Sequence, residues 1–451
     1  MPRFPIALAG AMLLLVSLSV RANDWPQWLG PKRDGVWRET GLVEKFPPGG
    51  PKVRWRVPVE HGFSGAAVVD GRVYITDHQR ARDEKGDPLR PTRGGFVGKE
   101  RILCLNEADG KLLWKYEYDC PYKISYPNGP RCTPLVHQGK VYTLGGMGDL
   151  LCLDAKKGDV LWSKNLPKEY KTEPPVWGYA ANPLMDGDLL YTLVGGEGST
   201  VVAFNKDTGR EVWKALSCEE VGYAPPMIYE VGGARQLIIW QPETVNALDP
   251  KTGKVLWSQP YWPKEKLQRP AVSIATPVCL GDLLFVSSYY HGSRMLRLNT
   301  DKPGASALWQ SKDQKDRKFS SLHALSSTPV LKDGHVYGIC GEGELRCLKA
   351  DTGEQVWESD GVWGEKATFG TAFLAPQGDR FVIFNDAGYL ILATISPKGY
   401  KEIDRAKVLE PTYEARGRKV VWSAPALANK CVFVRNDKEL ICVSLAATPM
   451  G

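Results

Sequence analysis

The sequence predicts an all-β fold, an eight-bladed β-propeller whose last blade is completed by a strand from near the N-terminus. Three observations predict it. A stretch ending in tryptophan recurs six times at a period that suits a four-stranded blade. Each unit carries the turn and strand signals of a meander. The final unit lacks an outer strand, which residues 53–57 can supply.

The matching stretches are CLNEADGKLLW (104–114), CLDAKKGDVLW (152–162), AFNKDTGREVW (203–213), ALDPKTGKVLW (247–257), RLNTDKPGASALW (297–309) and CLKADTGEQVW (347–357). Their tryptophans, Trp114, Trp162, Trp213, Trp257, Trp309 and Trp357, lie 44 to 52 residues apart. Within a unit the first strand starts near a proline: Pro134, Pro183, Pro277, Pro329 and Pro425. Proline cannot donate to a ladder, so it suits a strand start or an unpaired inner edge. The second strand follows a polar turn such as Asp70-Gly71 or Asp333-Gly334. The third carries Leu-x-Cys-Leu-Asp or a variant, and a Thr-Gly-Lys-like turn leads to the outer strand.

Glycine precedes the tryptophan by four residues in five of the six units, with one extra residue near Ala305 in the fifth. An indole buries a large apolar area, and a residue without a side chain leaves room for a ring from the adjacent blade. Trp55 and the six repeat tryptophans are therefore assigned to blade docking and not to a ligand. Residues 368–403 form a degenerate unit with Ile403 in the tryptophan place, and Ser423 to Leu445 supply three strands. Pairing these with the strand around Trp55 removes exposed sheet edges.

Residues 1–22 read as a signal peptide: Arg3, an apolar run from Ile6 to Val20, and small residues at Val20 and Ala22. An uncleaved anchor is the alternative. Residues 23–52 are an N-terminal extension, and 53–451 a single propeller. With no cysteine near the cleavage site to take a lipid and no later apolar run long enough to span a bilayer, a periplasmic or secreted monomer is expected. The formal charge of +7 is interspersed along the chain, which points away from nucleic acid. Ten cysteines in an exported chain permit disulfides. Cys340–Cys347, Cys431–Cys442 and Cys120–Cys132 are possible bridges. Cys104, Cys152, Cys347 and Cys442 share one repeat position and also read as small buried apolar residues.

The Ala/Leu-Asp-x-x-Thr-Gly-x-x-x-Trp repeat resembles that of the pyrroloquinoline-quinone (PQQ)-like propeller family over about residues 53–445. Trp25-Pro-Gln-Trp-Leu-Gly-Pro-Lys-Arg-Asp-Gly35 looks like the N-terminal extension of exported, BamB-like bacterial members. The resemblance implies one of two branches, quinoprotein dehydrogenases holding PQQ and Ca²⁺ on the axis or non-catalytic scaffolds, and fold does not choose between them.

The loops joining blades share a face with the loops between second and third strands, and they are rich in aromatics. Candidate ligand-binding residues there are Tyr126, Arg131, Trp177, Tyr179, Asn182, Tyr223, Arg269, His323 and Trp363. Tyr122, Tyr261, Trp262, Phe319, Phe369, His61 and Phe63 occupy equivalent stretches. The bland alternative is that these rings pack the loops. The insertion 78–99 belongs to this face and reads as a solvated loop or a docking arm. Gly145–Gly148 and Gly195–Gly198 read as hairpin turns, not phosphate loops.

No adjacent Cys-Cys pair and no Cys-x-x-Cys-His haem site are present, and Glu173, Glu219, Glu220 and Glu365 read as solvated. No catalytic or metal-ligating residue is assigned and no cofactor is expected. The sequence favours an exported non-catalytic propeller that binds a protein, peptide or glycan on its joining-loop face. The alternative is a divergent PQQ- and Ca²⁺-dependent alcohol or sugar dehydrogenase.

Overall fold

The computed structural model describes residues 24–86, 89, 95–311 and 321–447. The expected leader and Phe319 lie outside these residues, as does part of the 78–99 insertion. The described strands form eight four-stranded antiparallel sheets and one two-stranded hairpin. Blades one to seven follow in chain order, from Ala67–Asp119 to Ala372–Lys407. Blade eight combines Ala426–Ala428, Cys431–Arg435 and Glu439–Ser444 with Val53–Pro58 as its outer strand. Trp55 pairs with Cys442 in that closure. Inner strands begin directly after the marker prolines, at Leu135, Leu184, Val278, Val330 and Ala426.

Blade docking follows the expected indole-to-glycine pairing and adds a hydrogen bond. A Cβ built on Gly110, Gly158, Gly209, Gly253 or Gly353 would lie 2.5–2.9 Å from a ring carbon of Trp55, Trp114, Trp162, Trp213 or Trp309. All five glycines also have positive φ, between 67° and 80°, a region that costs other residues energy. Each ring Nε1 donates to a carbonyl in the same turn of the next blade: Glu107 (2.8 Å), Ala155 (3.1 Å), Lys206 (2.9 Å), Pro250 (3.0 Å) and Ala350 (2.8 Å). In three blades a second-strand tyrosine uses the other lone pair of that carbonyl: Tyr74 on Ala155, Tyr142 on Lys206 and Tyr191 on Pro250.

Two tryptophans depart from this pattern. Blade five offers Trp257 no such dock: its hairpin strands are longer, with Met295 paired to Trp309, and the Gly304 Cβ position meets Asn299 and no indole. Trp257 Nε1 instead donates to Gln236 Oε1 in its own blade (2.6 Å). Trp357 donates to Ser396 O (2.9 Å) in the shorter hairpin of blade seven, where nothing lies within 4 Å of the Gly399 Cβ position. Ile403 packs toward the core of blade eight. All ten cysteines are free thiols; Cys104, Cys152, Cys347 and Cys442 are buried, as the apolar reading expected, and none of the three possible bridges is formed.

The extension fills the propeller axis. Trp25 exchanges two backbone hydrogen bonds with Val68 of the blade-one inner strand, and Val136 N of blade two donates to Pro26 O. Trp28 Nε1 donates to Thr276 Oγ1 before blade five (3.0 Å), and its ring meets Phe373 of blade seven. Arg33 donates to Asn182 O (3.2 Å), Pro183 O (2.9 Å) and Pro226 O (3.3 Å), carbonyls that precede the inner strands of blades three and four. Trp37 N then bonds Pro376 O of blade seven, and Glu39 accepts from Lys430 N of blade eight. So short a segment reaches so many inner strands only by lying in the central channel. It enters and leaves at the end carrying the turns between third and fourth strands. A residual cavity of about 30 Å³ beside Trp28 and Phe373 has room for little more than water.

Docking and axis are separately testable. Gly253→Val should destabilise by about 2 kcal/mol or more through overpacking and backbone strain. Gly71→Asn, also at positive φ but with open space around it, should cost under about 1 kcal/mol, both read from urea-denaturation midpoints. Arg33→Ala leaves three carbonyls without their donor and should cost roughly 2 kcal/mol. It should also raise amide exchange at Val68 and Val136; unchanged exchange there would contradict the plug.

Candidate functional site

The joining-loop end of the channel is partly roofed by a hairpin, Tyr413–Ala415 paired with Arg418–Val420, which the repeat pattern gives no sign of. Arg418 anchors it with two bonds to Asp386 (2.9 and 2.5 Å) and one to Thr368 O (3.0 Å). Asp386 is fully buried and also accepts from Trp363 Nε1 (2.9 Å) and Thr371 N (3.0 Å). At the far side of the hairpin, Tyr413 and Trp422 meet Phe63 and Tyr126 from the loops on either side of blade one. Ring centroids are 5.0 Å apart for Phe63–Tyr413, 5.8 Å for Phe63–Trp422 and 5.9 Å for Tyr126–Trp422. The Arg131 guanidinium lies 5.4 Å from the Phe63 ring.

A polar chain runs beside these rings. His61 Nδ1 shares a hydrogen bond with Asn128 Oδ1 (3.1 Å), and Asn128 Nδ2 donates to Asp437 Oδ1 (2.6 Å). Thr412 Oγ1 donates to Asp437 Oδ2 (3.1 Å). Burial pushes the Tyr413 phenol up to about 12, against the opposing pull of Arg131, so it is neutral and a hydrogen-bond donor at pH 7.

The nine predicted residues divide by burial. Tyr126, Arg131, Trp177 and Trp363 are half-buried on the joining-loop face. Tyr179, Asn182, Tyr223 and His323 are buried and occupied within the protein. Tyr179 donates to Val194 O (3.1 Å), Asn182 accepts from Thr133 N (2.7 Å), Tyr223 accepts from Trp177 N (3.4 Å), and His323 Nδ1 meets Tyr289 O (2.9 Å). These four pack loops. Arg269 stands apart beside blades four and five, held by Glu220 (3.0 Å) and by Glu243. Glu220 is not freely solvated, because it also caps Ala271 N (2.9 Å). Tyr126 and Arg131 share the cluster beside the hairpin, and Trp177 packs separately on Tyr223 with ring centroids 5.1 Å apart. Phe63 was visible as a loop aromatic, whereas Tyr413 and Trp422 lie in the irregular connection before the last blade, where no repeat position flags them.

Beneath the insertion, Glu100 is buried and accepts from Tyr118, Tyr122 and Gly146 N (2.8 Å). Burial raises its pKa against those hydrogen bonds. His78 stacks on Tyr122 at 4.4 Å and contacts Cys120 O through Nε2 (2.9 Å). Burial pushes its pKa down to about 4.

PQQ is a planar tricarboxylate whose Ca²⁺ wants several oxygen ligands. The axis where it would lie is filled by Trp25–Trp37. The buried carboxylates are already engaged, Asp77 by Arg101, Asp386 by Arg418 and Glu100 by two tyrosines. Among the described residues no group of three or more His, Cys, Asp or Glu is placed to hold a metal. The residues present do not fit the group.

Comparison with protein families matches residues 98–324 and 318–449 to the family described as outer membrane protein assembly factor BamB. The chain belongs to this family. Individual relatives of the BamB-family chain fall in two groups. It is 24% identical over 230 residues to outer membrane protein assembly factor BamB of Burkholderia pseudomallei, covering 50% of this chain and 54% of that protein. It is 27% identical over 217 residues to the quinoprotein ethanol dehydrogenase of Pseudomonas aeruginosa, covering 44% and 34%. The chain thus spans about a third of that dehydrogenase and about half of that BamB. Among solved structures, BamB from Moraxella catarrhalis matches with a TM-score of 0.52 at 14% identity, over 81% of this chain and 99% of that one. That likeness is one of fold.

The buried pair beneath the insertion makes stability depend on pH. The His78 pKa of about 4 lies below its unfolded value of about 6.5, so the unfolded chain takes up that proton first as pH falls. Stability from neutral His78 is full above about pH 6.5 and is lost progressively toward pH 4. Glu100 has the opposite sign, because its raised pKa favours the folded form on acidification. His78→Gln should flatten the fall in denaturation midpoint between pH 7 and 4.5, and Glu100→Gln should steepen it. Identical slopes for wild type and both variants would refute the assignment.

Proposed function

We propose that this BamB-family propeller is a non-catalytic binding protein of the bacterial cell envelope, which docks a protein partner on its joining-loop face. One observation carries the reading. The axis, where the dehydrogenase branch would need its cofactor, is occupied by the chain's own N-terminal segment, while the opposite mouth presents half-buried aromatic rings and arginines. The matched family's description and the BamB relatives support an envelope scaffold. Among the described residues no helix is long and apolar enough to cross a membrane.

The alternative, a divergent quinoprotein dehydrogenase, has its support in the identity to quinoprotein ethanol dehydrogenase. Both readings meet one experiment. Purified protein incubated with PQQ and Ca²⁺ should retain no stoichiometric cofactor after gel filtration and show no dye-linked oxidation of ethanol or glucose; retention with turnover would reverse the choice. A photo-crosslinking residue at Tyr126 should trap an envelope protein that the same residue at Lys254, exposed on the opposite face, does not.

A further inference from the structure

The joining-loop face around blades eight, one and two holds arginines that its carboxylates do not match. Arg131 donates to carbonyls of its own loop, Gly129, Ser125 (3.4 Å) and Tyr126 (2.5 Å). Arg80 donates to Pro127 O (3.3 Å) and lies 4.1 Å over the Phe96 ring. The two guanidinium groups thus hold consecutive carbonyls and flank one short loop. Arg435, buried below, bonds the carbonyls of Thr76, Asn436 and Glu60.

The nearby carboxylates are committed elsewhere. Glu60 pairs with Arg82 (3.4 Å), Asp77 with Arg101 (2.6 Å), and Asp437 with Asn128 and Thr412. Among the described residues Arg80 and Arg131 have no ion-pair partner. Burial lowers the pKa of both and outweighs the pull of Asp437 and Glu60 on Arg80 and of Glu100 on Arg131, as for cations taken partly out of water. The adjoining rings stand edge to face, at 89° for Phe63–Tyr413 and 61° for Tyr126–Trp422. Packed in this way they present ring edges, not a flat platform for a sugar.

We propose that the corner formed by Arg80, Arg131, Phe63, Tyr126, Tyr413 and Trp422 docks an acidic, aromatic-containing peptide segment of a partner protein. The partner's carboxylates answer the two guanidinium groups by charge-assisted hydrogen bonds, and its rings pack against the half-buried aromatic edges. This inference rests on the protein-docking reading above and names the chemistry of the partner.

The probe is a random glutamate–tyrosine copolymer, titrated into the mature protein by calorimetry at low and high salt. Oligogalacturonate serves as an acidic glycan control. The copolymer should bind in a salt-dependent way, and about tenfold more weakly to Arg131→Gln and to Arg80→Gln. Lys251→Gln/Lys254→Gln on the opposite face should bind like wild type. Melting temperatures identify any variant that fails to fold, and Arg80→Gln carries the comparison should Arg131→Gln do so. Equal affinity across all variants, no binding, or tighter binding of oligogalacturonate overturns the proposal. If any of these occurs while Tyr126 still crosslinks a protein, the scaffold reading survives and only this partner chemistry falls. A crosslink formed only from Lys254 removes both.

Discussion

The ring depends on one contact repeated around it: an indole against the glycine of the next blade, with its N–H on a carbonyl of the same turn. Neither half suffices alone. The glycine supplies space and a left-handed backbone, while the carbonyl fixes the angle at which the ring arrives. Large-to-small changes at buried aromatic sites cost about 3–5 kcal/mol, so each junction holds a substantial share of a stability that is small in total. The lock also constrains sequence unequally. The turns between third and fourth strands must keep their glycine facing the incoming ring, and in blade five, where Gly304 faces Asn299 instead, Trp257 turns to Gln236. The joining loops at the other end are under no such demand and can vary with function.

Much of this architecture was legible because it repeats. Periodic tryptophans gave blade number, prolines gave inner-strand starts, and a missing outer strand gave the closure through Trp55. What did not repeat was harder to read. The extension 24–52 carried Trp25, Trp28 and Trp37 without any periodic partner, so its insertion into the axis had no signal in spacing. The Tyr413–Val420 hairpin breaks the repeat and was invisible for the same reason. Site residues were legible as loop aromatics but not by burial. Tyr179 and His323 look like Tyr126 in sequence, and only packing makes the first two internal and the last half-exposed.

The axis explains how one repeat serves relatives of different kinds. Blades made by the same lock surround a channel whose contents are set elsewhere in the chain. Here the contents include Arg33, a buried cation held by three backbone carbonyls, with its pKa lowered to about 10 by burial. These three carbonyls, at the starts of the inner strands of blades three and four, converge as a patch of partial negative charge, and a guanidinium with several donors suits them better than an ammonium would. A carboxylate-rich cofactor at that depth would meet those oxygens without the cation. Fold leaves function open, and the residues placed on the axis and at its mouth decide it.

Closure through Trp55 and Cys442 also imposes an order on biosynthesis. The strand Val53–Pro58 is made before any complete blade, yet its hydrogen-bonding partner, Glu439–Ser444, is translated only after the seven blades between them. Until then its edge has no partner strand, although the dock for the Trp55 indole, Gly110 and Glu107 of blade one, is already made. Contacts of such long sequence separation form slowly, and an unpaired strand awaiting its mate is open to association with other chains. A truncation near residue 439 would therefore leave Val53–Pro58 and Cys431–Arg435 without the strand they share, opening two sheet edges at once.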